Sequence, residues 1–153
     1  MEEVLSDRTT LSTKPPKSVL FVCNQNAVRS PMAQGLANHQ WKRRVFVDSV
    51  GLIAGLLDPF SVTVMKELNI NIATRPPRAL NEIDPSKFDI VVALTPQSYD
   101  KLKTLLAGAR TRLEYWPTFD PCDNDGNRDQ VIEAYRSVRD QLEARIGDLL
   151  SFK

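Results

Sequence analysis

The sequence predicts an α/β domain of three layers, a doubly wound sheet of four parallel strands with helices on both faces. Two observations carry this. Short continuous apolar runs, Val19 to Val22 and FDIVVAL over 88–94, have the form of strands buried on both faces, as strands of a parallel sheet are. Strand-like and helix-like segments then alternate along the chain, and strands joined by helical crossovers pair in parallel. A chain of 153 residues is one domain's worth, so one core is expected.

Residues 1–17 are polar, end in Lys-Pro-Pro-Lys and show no periodicity, so they are expected to form a flexible tail ahead of a single domain over 18–153. The first strand, Val19 to Val22, ends at Cys23. Met32, Ala33, Leu36, Ala37 and Trp41 keep a helical stripe, giving a helix from Pro31 to about Trp41. Val45 to Val50 is the second strand. Pro59 to Leu68 reads as a helix with Phe60, Val64 and Leu68 on one face, stopped near Asn69, which tolerates the left-handed conformation of a helix end. Phe88 to Leu94 is the third strand, Pro96 to Ala107 a helix with Leu102, Leu105 and Leu106 inward, and Arg112 to Trp116 the fourth strand. From Asp129 onward Val131, Tyr135, Val138, Leu142, Ile146 and Leu149 mark a long closing helix.

A net charge of +1 with 25% charged residues gives no overall electrostatic case for nucleic acid or an anionic membrane as partner, so any anion site must be local. No run approaches the length of a membrane span. Two cysteines and an acidic N-terminus without an apolar segment argue against a disulfide scaffold and against secretion; a cytoplasmic setting is expected. His39 is the single histidine and the cysteines lie far apart, so no metal site and no cofactor are expected.

The segment VLFVCNQNAVRSPM concentrates the chemistry. Cys23 closes a buried strand, Arg29 follows six positions later, and Ser30-Pro31 reads as a helix start with Ser30 as N-cap and Pro31 at the first helical position. The loop's N–H groups would meet at the positive end of a helix dipole, where both a dianion and a thiolate are stabilised. Arg29 adds a planar fork for two oxygens, and Ser30 can donate to the thiolate. A companion group should come from another loop at the carboxyl ends of the strands. In Pro117-Thr118-Phe119-Asp120-Pro121-Cys122-Asp123 the proline biases Asp120 to an extended conformation; by itself Asp-Pro would signal only a turn.

Cys-x5-Arg-Ser-Pro between a buried strand and a helix resembles the active-site loop of the low-molecular-weight protein tyrosine phosphatases. The resemblance implies their phosphotyrosine protein phosphatase I-like fold, Cys23 as nucleophile, and Asn24, Gln25, Asn26, Ala27, Val28, Arg29 and Ser30 as the phosphate-binding loop. It also implies Asp120 as the acid that protonates a leaving group, and Ser49, in Asp48-Ser49-Val50-Gly51, as the serine that supports Asn26. Departures are Gln25 in place of glycine, Val28 in place of a second loop cysteine, Thr95 where aspartate is usual, and Cys122-Asp123 where an aromatic pair would wall a phosphotyrosine ring. Cys122 reads either as a small loop filler or as a thiol able to protect Cys23.

The function implied is a metal-independent phosphomonoesterase, a protein tyrosine phosphatase acting through cysteinyl-phosphate on a phosphorylated protein or a small phosphomonoester, with a monomer favoured. Two alternatives stand beside it. Thioredoxin-linked arsenate reductases use the same thiolate loop, but their resolving cysteines are missing from Ala93-Leu94-Thr95-Pro96-Gln97-Ser98-Tyr99. A non-catalytic anion-binding regulatory module would need neither a nucleophile nor a proton donor.

Overall fold

The computed structural model describes residues 15–150; the tail expected over 1–17 lies outside them except at 15–17. Strands β1 (Ser18–Cys23), β2 (Phe46–Gly51), β3 (Ile90–Ala93) and β4 (Arg112–Tyr115) form one sheet in the order β2-β1-β3-β4. Every pairing is parallel. Helices α1 (Arg29–Gln40), α2 (Pro59–Lys66), α3 (Pro96–Leu105) and α4 (Arg128–Leu149) complete the α/β fold that the alternation predicts.

The two-residue period of β1 divides the core. Val19, Phe21 and Cys23 face a cluster built with Met32, Leu36 and Trp41 of α1 and its C-cap, and with Tyr135, Val138, Leu142 and Ile146 of α4. Leu20 and Val22 face the opposite cluster, with Val50, Leu80, Val91, Leu102 and Leu106. Burial on both sides is why β1 reads as an unbroken apolar run. Cys23 therefore lies on the face that α1 and α4 cover.

Three details differ from the sequence reading. Helix α1 begins at Arg29, its N-cap is Val28, and no side chain caps it; Ser30 lies inside the first turn because its hydroxyl is turned to the Cys23 sulfur. Leu105, expected inward, is 46% exposed, since α3 ends there and its apolar stripe passes from Leu102 to the C-cap residue Leu106. Strand β3 starts at Ile90 because a 3-10 turn over Pro85–Lys87 occupies the approach to it. Asn69 does adopt the left-handed conformation, φ 60°.

Helix α4 opens on a reciprocal cap: Asn127 accepts from Gln130 N at 2.9 Å, and the Gln130 side chain accepts from Asn127 N at 2.9 Å. Its middle is tied to the end of α2 through Glu67, which accepts from Arg136 Nη2 at 2.8 Å and Arg139 Nη1 at 2.7 Å. Arg139, 8% exposed, also donates to Val64 O at 2.8 Å. Hydrogen bonds from Arg136 and then Arg139 hold the Glu67 carboxyl at about 2, against an ordinary 4.5. A carboxylate depressed on folding stabilises the fold above its unfolded value and loses that contribution as pH falls through the folded one. Glu67→Gln should therefore lower the melting temperature at neutral pH, modestly because the pair is partly exposed. The gap to the parent protein should close as pH falls from about 4.5 towards 2. A gap that stayed constant across a thermal series over that range would exclude the linkage.

Candidate active site

β1 carries Cys23 to the carboxyl edge of the sheet, opposite Gly51 of β2. The chain leaves β1 for β2 on one side and returns to β3 on the other, so Cys23 sits at the switch point where α/β sheets open a crevice. It is 2% exposed, with Sγ 2.9 Å from Ser30 Oγ. Ser30 Oγ is also 3.2 Å from the Val50 carbonyl, so its single proton can go to that carbonyl or to a thiolate.

The loop after Cys23 is held from outside. The carbonyls of Cys23, Asn24, Gln25 and Ala27 accept from Leu52, Ile53, Gly55 and Asp58 N at 2.8–3.1 Å. With those carbonyls turned outward, the loop presents N–H groups to its centre. Asn26, buried and left-handed at φ 55°, locks this shape: Nδ2 donates to Ser30 Oγ (2.8 Å) and Ser49 Oγ (3.0 Å), and Oδ1 accepts from Arg78 N (2.9 Å). Asn24 and Ala27 are half-buried, Val28 is buried, and Gln25 is exposed on the rim, its side chain lying against Gly55.

Arg29, its side chain 12% exposed, donates from Nη1 to Thr118 O at 3.0 Å and brings Nη2 to 3.6 Å from Asp120 Oδ2. Thr118 is itself fixed by its N–H to Leu94 O at 3.1 Å. Asp120 is extended, and its Oδ1 accepts from Cys122 N at 2.9 Å. The turn role and the placement beside the loop thus belong to one side chain. Guanidinium and carboxyl thus meet beside the loop that Cys23 opens, while Asp123 is exposed. Cys122 Sγ lies 3.0 Å from Tyr135 Oη and 3.4 Å from Asp58 Oδ2, and Tyr135 donates to the same Asp58 oxygen at 2.8 Å. Desolvation pushes the Cys122 thiol up to about 11; the carboxylates of Asp120 and Asp58 add to the rise and the Tyr135 hydroxyl opposes it.

Sequence reasoning missed several supports. Thr95 Oγ1 donates to Asn24 Oδ1 at 2.8 Å while capping α3, and the Thr-Pro-x-Ser spacing was a readable signal for the cap though not for the contact. Ser49 Oγ donates to Gln34 Oε1 at 2.6 Å; Arg75 Nη2 donates to the same oxygen at 3.2 Å and to Asp48 Oδ1 at 2.6 Å, and Arg78 also pairs with Asp48. These partners are far apart in sequence and carry no local pattern.

The chain belongs to the low molecular weight phosphotyrosine protein phosphatase family, whose model matches residues 18–152. An arsenate reductase of Shouchella clausii is 31% identical to it over 130 residues, covering 85% of this chain and 92% of that one. A glutaredoxin arsenate reductase of Synechocystis is 28% identical over 135 residues, covering 88% and 97%. The low molecular weight protein tyrosine phosphatase of T. tengcongensis shares the fold, with a TM-score of 0.74 at 24% identity, covering 86% of this chain and 96% of that one. The family thus joins phosphatases and arsenate reductases on one cysteine-dependent scaffold.

Gly51 is where the loop has no slack. A Cβ there would meet Asn26 N, Gln25 C and Ile53 O at 2.5 Å, all backbone atoms that cannot step aside singly. Gly51→Ala should keep the far-ultraviolet circular dichroism of the parent while weakening vanadate binding by roughly tenfold or more, the loss expected when converging amides are misaligned. Unchanged vanadate affinity by calorimetry would show that the loop tolerates the displacement.

Proposed function

We propose that this chain attacks tetrahedral oxyanions with the Cys23 thiolate, and that arsenate reduction completed by an external thiol is its first activity. The observation that carries the substrate is the run of arsenate reductases among the relatives that align over almost the whole domain. This reverses the order in which the sequence ranks the two activities. Arg29 and the amides of residues 24–30 hold the anion, and Cys23 Sγ bonds arsenic as a protonated oxygen leaves as water. A thiol then attacks Cys23 Sγ. A sulfur–sulfur bond forms, the sulfur–arsenic pair leaves with arsenic as As(III), and a second thiol equivalent returns Cys23 to the thiolate while the reductant ends as its disulfide.

The reductant is external because Cys122 is the only other cysteine and is poorly suited to the task. Its thiol, pushed up to about 11 and engaged with Tyr135 and Asp58, is almost wholly protonated at neutral pH. A low-molecular-weight thiol or a glutaredoxin-class protein supplies the electrons.

The second reading is phosphomonoester hydrolysis, favoured by the position of Asp120, 3.6 Å from Arg29. Cys23 would attack phosphorus, Asp120 would protonate the departing oxygen, and the resulting carboxylate would deprotonate the water that cleaves cysteinyl-phosphate.

One assay separates the two. Arsenite formation with glutathione and glutaredoxin is measured beside release of phosphate from an aryl phosphate, both in chelator. Arsenite formation that Cys23→Ser abolishes and Cys122→Ser leaves within about twofold supports the first reading, since uncoupled thiols differ little in cost. Loss of activity in Cys122→Ser would mean that the chain resolves its own intermediate. Phosphate release without arsenite would select the second reading. There, Asp120→Asn should slow a phenyl phosphate by roughly 10²–10⁴-fold and an activated nitrophenyl ester much less.

A further inference from the structure

Behind the phosphate loop, between α1 and the segment over 69–77, lies a cleft of about 590 Å³, a size that suits a small organic ligand. Its charge is one-sided. His39, Lys42, Arg43 and Arg75 line it, and no carboxylate does. Arg75 is committed to Asp48, but Lys42 and Arg43 form no ion pair with a described residue. Two free cations over a concave surface without an acid constitute a local anion field.

The backbone marks the same place. Asn26, Lys42, Arg43 and Asn69 are the non-glycine residues with positive φ among those described, and all four line this cleft. Asparagine adopts that conformation readily. Lysine and arginine in succession, at φ 52° and 57°, do not, and a glycine would relieve the turn after α1 without strain. The cations of the cleft thus stand on strained backbone. The favourable effect of a positive charge at the end of α1 accounts for a basic residue there, not for two left-handed ones turned to a common cavity.

The rest of the lining suits a planar polar body. Ile70 and Ile72 form a buried apolar floor, docked on α1 at Gly35, where a Cβ would meet Ile72 at 2.7 Å. The side-chain amides of Asn38 and Asn69 edge that floor with paired donors and acceptors, and Asn71, whose Oδ1 takes the Ala73 N–H at 3.0 Å, adds a donor. We propose that the cleft binds a nucleoside monophosphate, with phosphate against Lys42 and Arg43 and base over Ile70 and Ile72, and acts on the phosphate loop through Arg75. The path is continuous: Arg75 to Gln34, Gln34 to Ser49, Ser49 to Asn26, Asn26 to Ser30, Ser30 to Cys23, each within 3.2 Å. Arg75 lines the same cleft, and an anion there that competes with Gln34 for its Nη2, the pair with Asp48 remaining, changes the support of Asn26. This inference is independent of which oxyanion Cys23 attacks.

The test is calorimetry of adenosine 5′-monophosphate into the full chain whose phosphate loop is saturated with vanadate. Arms with inorganic phosphate and with ribose 5-phosphate separate phosphate from base recognition. The expected result is one further equivalent of the nucleotide, bound more tightly than either comparator and weakened roughly tenfold or more in Lys42→Glu/Arg43→Glu. These exposed substitutions should leave the melting temperature and the vanadate affinity unchanged. Absence of the further equivalent, or its persistence in the double variant, overturns the site; equal affinity for inorganic phosphate overturns base recognition. Reciprocal linkage requires the nucleotide to alter vanadate affinity in the parent and not in the double variant, and an unaltered parent affinity overturns the action on the loop.

Discussion

The side chain of Asn26 is the constraint on which the rest of the site depends. A loop that turns its amides inward must keep its carbonyls outward, and that arrangement needs a left-handed residue near its middle. Glycine would supply the conformation but not the hold. Asparagine supplies both, because its amide reaches Ser30 and Ser49 while its carbonyl takes the Arg78 N–H, tying the loop to α1, to β2 and to the chain beyond β2. All these groups are buried or half-buried, so loss of Asn26 would leave the Arg78 N–H unpartnered and remove one hydrogen bond each from Ser30 and Ser49 in a place water reaches poorly. The absence of a side chain at Gly51 is the complement of this hold, since it lets the loop backbone rest directly on β2.

A second constraint joins the thiol loop to the acid loop. Arg29 belongs to the first turn of α1, yet its guanidinium meets Thr118 and faces Asp120. Asp120 is in turn steadied by the Cys122 N–H, and the turn it caps leans on α4 through the contact of Cys122 with Tyr135. Asp58, at the N-cap of α2, accepts from Tyr135 and from the first N–H groups of its own helix. The closing helix therefore reaches the site without contributing a reactive group. The Cys122 sulfur makes that contact at 3.0 Å from Tyr135 Oη.

Much of the fold was legible because its signals are local. The run at 19–22, the stripe of α4 and the left-handed Asn69 each follow from a handful of neighbouring residues, and the order of elements follows from their alternation. The thiol, the arginine and the aspartate of the candidate site were marked out in the same way, through short spacings beside Ser-Pro and Pro. What escaped was non-local. The pairing of Asp48 with Arg75 and Arg78, the link from Thr95 to Asn24, and the meeting of Tyr135 with Asp58 join residues 27 to 77 positions apart. The start of α1 was misread for a related reason. Ser30 is a good N-cap by propensity, but the sulfur beside it competes for the same hydroxyl, and a tertiary contact prevailed over a local preference.

The cradle itself does not choose between phosphorus and arsenic, because amides and a guanidinium recognise a tetrahedral oxyanion by shape and charge. The outcome is decided after the sulfur has bonded. A sulfur–phosphorus bond can be opened by water attacking phosphorus, and no change of oxidation state is needed. A sulfur–arsenic bond can also be opened at sulfur, because arsenic accepts the electron pair and phosphorus does not. Which path is taken depends on whether water reaches the bound phosphorus or arsenic, or a thiol reaches Cys23 Sγ. The loop over 118–122, beside the cradle, is fixed on one side by Arg29 and on the other by Tyr135. On the proposed reading, specificity in this chain resides in the reach of an external thiol to Cys23 Sγ, and the geometry of the oxyanion cradle is neutral to it.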